Sequence, residues 1–305
     1  MTRARGATIL LGAASLLSLS GCAQWPAQGL FAAAGPAADL QRQQFLIVTA
    51  LVALVIVPLF IGLPWVLWRY RLRGGRGDYR PDWDFSRTME FLIWGIPVVI
   101  VAVLGVVLWH STHKADPYRP LAASDQPPIV VQAVALDWKW LFIYPDQGVA
   151  SVGQLVVPAG REVALSITAD GPMASLIVPR LGGQIYAMAG MTTQLHLLTN
   201  RNGDYRGMNT QYTGTGFDQQ HFTYRAVGPA QFSAWIARAR SGPALDAARY
   251  DQLAKPSKLA KPMLFGAPAP HLFELIIAKY HAEGDTLASL PPPGVMTTAK
   301  GMGAH

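Results

Sequence analysis

PPIVVQAVALDWKWLFIYP, residues 127–145, decides the fold class of this chain. The stretch is rich in Val, Ile and aromatic residues and alternates in character, which argues strand rather than helix. Proline opens it, and Pro145-Asp146-Gln147-Gly148 closes it with turn residues. Runs of the same kind follow at short spacing: GQLVVPAG (153–160), EVALSITAD (162–170), ASLIVPRL (174–181), TTQLHLLTN (192–200) and HFTYRAVG (221–228). Six or more short strands separated by Gly, Pro and Asp predict a β-sandwich over residues 125–228.

Upstream, the character is different. Phe45–Trp68 and Phe91–Trp109 run for 24 and 19 residues without a formal charge. A hydrocarbon core of about 30 Å takes about 20 helical residues, so both runs are long enough to span. Trp65, Trp68 and Trp109 stand at the ends of the runs, where interfacial aromatics belong. The whole chain agrees, with 51% apolar and 14% charged residues, against roughly 25% charged in soluble domains. We therefore expect a transmembrane helical hairpin over residues 45–110.

The intervening loop, 69–88, carries Arg69, Arg71, Arg73, Arg76, Arg80 and Arg87 against Asp78, Asp82 and Asp84. Such a short basic loop belongs in the cytoplasm, so the segment 23–44 and the sandwich are expected in the periplasm. The net charge of +7 is scattered and accompanied by no recognition motif, so nucleic acid is not expected as a partner.

Residues 1–22 read as an export signal, with Arg3 and Arg5 ahead of a short apolar stretch from Ala7 to Leu19. The stretch ends Leu19-Ser20-Gly21-Cys22, a sequence similar to a bacterial lipoprotein box, in which the cysteine takes the lipid. Cys22 is the only cysteine, so no intrachain disulfide can form. A signal that is uncleaved, or cleaved at an alanine, is the other reading. Two spans anchor the chain in any case, which makes the lipid a supplementary anchor in the inner membrane.

Downstream, PAQFSAWIARAR (229–240) predicts an amphipathic helix with Phe232, Trp235 and Ile236 on one side. HLFELIIAKYH (271–281) predicts a second helix, giving a C-terminal helical tail over 229–285. Residues 286–305, rich in Pro and Gly, read as disordered.

The order of signal, two spans and sandwich, together with LDWKWLFIYPDQG (136–148), ASLIVPRLGGQIYAMAGM (174–191) and YRGMNTQYTGTGFDQQHF (205–222), resembles subunit II of the haem–copper terminal oxidases. The likeness is strongest to the cytochrome bo-type ubiquinol oxidases and covers about residues 15–285. It implies a cupredoxin-like sandwich and a place in a proton-pumping complex that oxidises ubiquinol and reduces oxygen. It also implies that haem and copper reside in subunit I, and that subunit I, smaller membrane subunits and membrane lipid are the partners.

Copper-bearing relatives hold two copper ions in this sandwich. Their pattern is a His before Ser-aromatic-x-x-Pro, then a loop Cys-x-Glu-x-Cys-x-x-x-His-x-x-Met. Laid on this chain, the upstream His falls at Ala174 and the first Cys at Asn209. The Glu falls at Gln211, the second Cys at Thr213, the His at Phe217 and the Met at Gln220. None keeps its ligand type. Bridging thiolates suit copper, and the single cysteine sits at the far end, so no metal is expected here. The resemblance then implies a quinol oxidase, in which quinol feeds subunit I directly.

Glu90 opens the second apolar run. An acid there is favoured by the helix dipole alone, and an acid at a membrane-helix end is also a functional candidate. The resemblance implies a proton-path role. Trp138 and Trp140, at i and i+2, would share one face of a strand with Tyr144 nearby, packing in the core or against subunit I. Arg180 and Gln184 are candidate contacts to subunit I. His110 and His113 read as interfacial; His196 and His221 read as structural; Met173, Met188 and Met191 read as core filling. No catalytic residue is assigned. Two other functions remain: the electron-accepting subunit of a cytochrome c oxidase, and a lipid-anchored copper-binding module using Met188-x-x-Met191.

Overall fold

The computed structural model describes residues 29–71, 82, 84–121 and 126–288, with side chains to 281. The expected signal with Cys22, most of the basic loop, and residues 289–305 lie outside the described residues. The described chain divides into two compact units.

The first unit holds two long apolar helices, α1 (Pro36–Arg69) and α2 (Arg87–Lys114). Both expected spans lie within them. At 34 and 28 residues they are about 51 and 42 Å long, more than a hydrocarbon core requires. Pro36 follows Gly35 at the start of α1, where a missing N–H costs nothing. Ser86 caps α2, its Oγ accepting from Met89 N at 3.5 Å. At the other end of α2, Thr112 Oγ1 donates to Leu108 O at 2.9 Å. His110 and His113 place Nδ1 3.0 and 2.8 Å from the carbonyls four residues back. The Arg69 and Arg71 guanidinium groups lie 5.7 and 5.4 Å from the Trp65 and Trp68 ring centres, a cation–π pairing at the end of the span.

Residues 179–182 belong to this unit. Arg180 Nε donates to Ala32 O at 3.0 Å, Ala34 N to Arg180 O at 2.7 Å, and Ala38 N to Leu181 O at 3.2 Å. Gly182 sits at φ +84°, and a Cβ there would lie 2.7 Å from Ala38 N, so only glycine fits. Arg180, a candidate contact to subunit I, thus has an acceptor within its own chain.

The second unit is the sandwich. Its strands are β1 (Ile129–Leu136), β2 (Lys139–Tyr144), β3 (Val149–Val152), β4 (Gln154–Pro158), β5 (Val163–Ala169), β6 (Ala174–Ile177), β7 (Gln184–Ala187), β8 (Thr193–Leu197), β9 (Gly203–Asn209), β10 (His221–Val227), β11 (Ala244–Leu245) and β12 (Met263–Pro268). One sheet runs β11-β12-β3-β2-β1-β5-β8 and the other β4-β10-β9-β6-β7. Parallel pairings β1–β5 and β4–β10 interrupt otherwise mostly antiparallel sheets. Helices α3 (Pro229–Arg240), α4 (Ala247–Ala254) and α5 (Leu272–Ala288) complete the unit. α3 has the limits its sequence predicts, and Trp235 and Ile236 are buried.

Two expectations change. Trp138 is not a strand residue. β1 and β2 pair through Leu136 and Lys139, leaving Asp137-Trp138 as the two-residue turn. A second central turn residue with positive φ is a known turn pattern, and Trp138 takes it, at 64°. It therefore shares no strand face with Trp140, which is fully buried beside Phe222, as is Tyr144 beside Trp235.

The C-terminal segment is also more than a helical tail. β12 pairs with β3 and extends the larger sheet. Leu245, Tyr250, Leu253, Phe265, Leu272, Phe273 and Ile276 bury one face of that sheet, against Val134, Leu136, Leu141, Ile143, Ala150 and Val152. MLFGAP is short, follows Pro262 and ends in Pro268, and carries no clean alternation, so its sequence hides a strand.

Two buried charges fasten this segment. Asp170, following β5, accepts from Tyr250 Oη at 2.6 Å, Tyr280 Oη at 2.7 Å and Lys279 Nζ at 2.8 Å. Lys139 is almost fully buried and donates to the carbonyls of Lys255 and Ser257 and to Ser257 Oγ. Burial pushes the Lys139 ammonium pKa down, against the pull of Asp137.

Candidate functional site

The six positions onto which the copper-ligand pattern falls in the sequence are Ala174, Asn209, Gln211, Thr213, Phe217 and Gln220. Four of them meet in one hydrogen-bonded network. Asn209, at the end of β9, is its hub. Asn209 Oδ1 accepts from Ser175 N at 2.8 Å and Gln211 N at 2.9 Å. Its Nδ2 donates to Gln211 O at 2.7 Å, to Gln220 Oε1 at 2.8 Å and to Thr213 Oγ1 at 3.3 Å. Thr213 Oγ1 in turn donates to Gln220 Oε1 at 3.0 Å. Gln220 Nε2 reaches the other sheet, donating to Leu136 O at 3.0 Å. Ala174 is buried at the start of β6, and the Phe217 ring packs on Tyr212 with centres 5.6 Å apart.

Two further groups extend the network. Thr210 Oγ1 and Gln184 Nε2 both donate to Ser175 Oγ at 2.9 Å. Gln184 therefore has a partner within this unit. The Trp138 indole covers the loop, with Nε1 donating to Thr213 O at 3.0 Å. A Cβ at Gly216 would overlap that indole, so loop and tryptophan are fitted to each other.

This donor set does not fit a thiolate-bridged copper pair. It offers amides and hydroxyls engaged with one another, and neutral oxygen and amide groups are poor partners for soft copper. Among the described residues no three His, Cys, Asp or Glu side chains gather. His221 Nδ1 lies 2.6 Å from Gln219 O on an exposed edge, and His196 Nδ1 lies 2.6 Å from Glu162 Oε1. Met173 and Met191, expected to fill core, are exposed.

Glu90 stands in the first turn of α2. Its Oε2 accepts from Trp94 Nε1 at 3.1 Å, one turn further into the span. The sequence reading missed Trp94, Ser175, Thr210 and Asp170. Trp94 and Glu90 are four apart, the spacing at which helix side chains meet, so that pair was open to discovery.

Known proteins are similar to this chain. The chain is 44% identical over 266 residues to cytochrome bo(3) ubiquinol oxidase subunit 2 of Pseudomonas putida, covering 87% of this chain and 83% of that one. It is 39% identical to ubiquinol oxidase subunit 2 of Acetobacter aceti, covering 88% and 87%. This chain belongs to the ubiquinol oxidase subunit 2 family. Residues 240–284 match the COX Aromatic Rich Motif, and that motif is the segment fastened here by Asp170 and Lys139. The periplasmic domain of subunit II of cytochrome oxidase from Bradyrhizobium japonicum is similar at 19% identity, covering 37% of this chain and 94% of that one, with a TM-score of 0.36. As a member of the ubiquinol oxidase subunit 2 family, with two apolar helices, the chain is a membrane-anchored subunit.

Proposed function

We propose that this chain is the copper-free subunit of an oxidase in which ubiquinol supplies the electrons and oxygen accepts them. One observation carries the reading. In a chain of this family, Asn209, Gln211, Thr213 and Gln220 form a closed hydrogen-bonded core where copper-bearing relatives place ligands. The core gives the loop the cross-links a metal would otherwise supply, and it offers no electron acceptor. Ubiquinol reaches a haem- and copper-bearing subunit I through the membrane, so no periplasmic port is needed. The chain supports that subunit from the inner membrane, with the sandwich in the periplasm and Cys22 as an added lipid anchor.

Glu90 collects protons at the cytoplasmic mouth of the path through subunit I. Purification through a C-terminal tag under mild detergent is expected to bring down a large haem-bearing chain. Recovery of this chain alone, without haem, would contradict the subunit reading. In the intact complex, Glu90→Ala is expected to slow quinol-driven oxygen uptake at full haem content. Unchanged uptake would remove the proton role and leave Glu90 as a dipole-stabilising acid.

A further inference from the structure

The Glu90 carboxylate is directed by its neighbours. An acid in the first turn of a helix ordinarily serves the exposed N–H groups there and interacts with the dipole. In α2 that work is taken by Ser86. Its Oγ accepts from Met89 N at 3.5 Å, and its backbone oxygen accepts from Glu90 N at 3.0 Å. Glu90 instead extends the other way, and Oε2 accepts from the Trp94 indole at 3.1 Å. Trp94 lies about 6 Å further along the axis, toward the middle of the span. Both side chains are exposed on the isolated chain, Trp94 at 70%. A carboxylate at a helix end near the interface extends toward water unless something holds it. Here the donor on the inner side holds it. Among the described residues, Oε1 has no hydrogen-bond partner.

We propose that Trp94 is a positioning residue. Its indole N–H holds Glu90 Oε2 on the inner side of the first turn and leaves Oε1 open to take and release a proton. This rests on the reading of Glu90 as a proton collector. The indole N–H makes a charge-assisted hydrogen bond, which fixes one carboxylate rotamer. The ring itself supplies no proton, because an indole N–H only donates.

The test uses the assembled oxidase, with rates normalised to haem. Trp94→Phe keeps an aromatic ring and removes the donor. It is expected to lower kcat for quinol-driven oxygen uptake roughly three- to tenfold, the size of one lost hydrogen bond, with KM for quinol unchanged. Trp94→Gln, which restores a donor four residues on, is expected to recover most of that loss. The double variant Glu90→Ala/Trp94→Phe is expected to match Glu90→Ala alone. A full rate in Trp94→Phe, or a Gln variant no better than Phe, would overturn the proposal while leaving Glu90 in its role, provided Glu90→Ala is slow. Full activity in Glu90→Ala would overturn both.

Discussion

Asp170→Ala loosens the aromatic rich motif and lowers the stability of the sandwich unit by about 3 kcal/mol, the scale of hydrogen bonds to a charged group. The Asp170 side chain is 3% exposed and takes two phenol hydrogen bonds and one ammonium hydrogen bond. All three donors come from the C-terminal segment, so their loss falls on one attachment. Urea titration, followed by the protease sensitivity of residues 240–284, reads the effect. Unchanged sensitivity would mean that the apolar face and the β12–β3 pairing hold the segment unaided.

The same carboxylate gives the clamp a defined pH dependence. Burial alone would raise its pKa, but the donors Lys279, Tyr250 and Tyr280 outweigh burial and hold it below the ordinary value of 3.8. A carboxyl that is more acidic folded than unfolded adds stability above the unfolded value. That contribution is lost as pH falls through the lowered one. The stability gap between wild type and Asp170→Asn is therefore expected to be constant above roughly pH 5 and to shrink below about pH 4. A gap that widens on acidification would contradict the geometry.

Asn209→Ala is the second large effect. The side chain is buried and satisfies Ser175 N, Gln211 N, Gln211 O and Gln220 Oε1 at once. Its removal strands several buried groups, at a cost of about 3–4 kcal/mol. The loop 210–220 then keeps only the Thr210–Ser175 bonds to β6, and the Trp138 indole, hydrogen-bonded to Thr213 O, changes its fluorescence. Asn209→Asp keeps the acceptor oxygen but sets a second oxygen against Gln211 O and Gln220 Oε1. It is expected to be destabilised at neutral pH and partly rescued by acid. A stable, spectroscopically unchanged Asn209→Ala protein would show that the network does not hold the loop.

Much of this architecture is written in single residues and short periods. Burial in lipid demands uncharged helices, so Phe45–Trp68 and Phe91–Trp109 stand out without reference to structure. Alternation marks β1, β5, β8 and β10 because each has a face in the core. Trp138 misled because a bulky aromatic within an aromatic run looks like strand, whereas pairing through Leu136 and Lys139 makes it a turn. Asp170 could not be picked out. A lone Asp before Gly171 reads as a turn signal, and its partners lie 80, 109 and 110 residues downstream. The positions expected to correspond to copper ligands were legible only through the family pattern. That Asn209, Thr213 and Gln220 bond to one another is a three-dimensional fact that spacing does not carry.

The most direct measurement is oxygen uptake by the purified complex, with ubiquinol and reduced cytochrome c offered separately. Rapid uptake with ubiquinol and none above background with cytochrome c is expected, because the Asn209 network offers no electron acceptor. Uptake driven by cytochrome c at a comparable rate would contradict this and require an electron port in the sandwich.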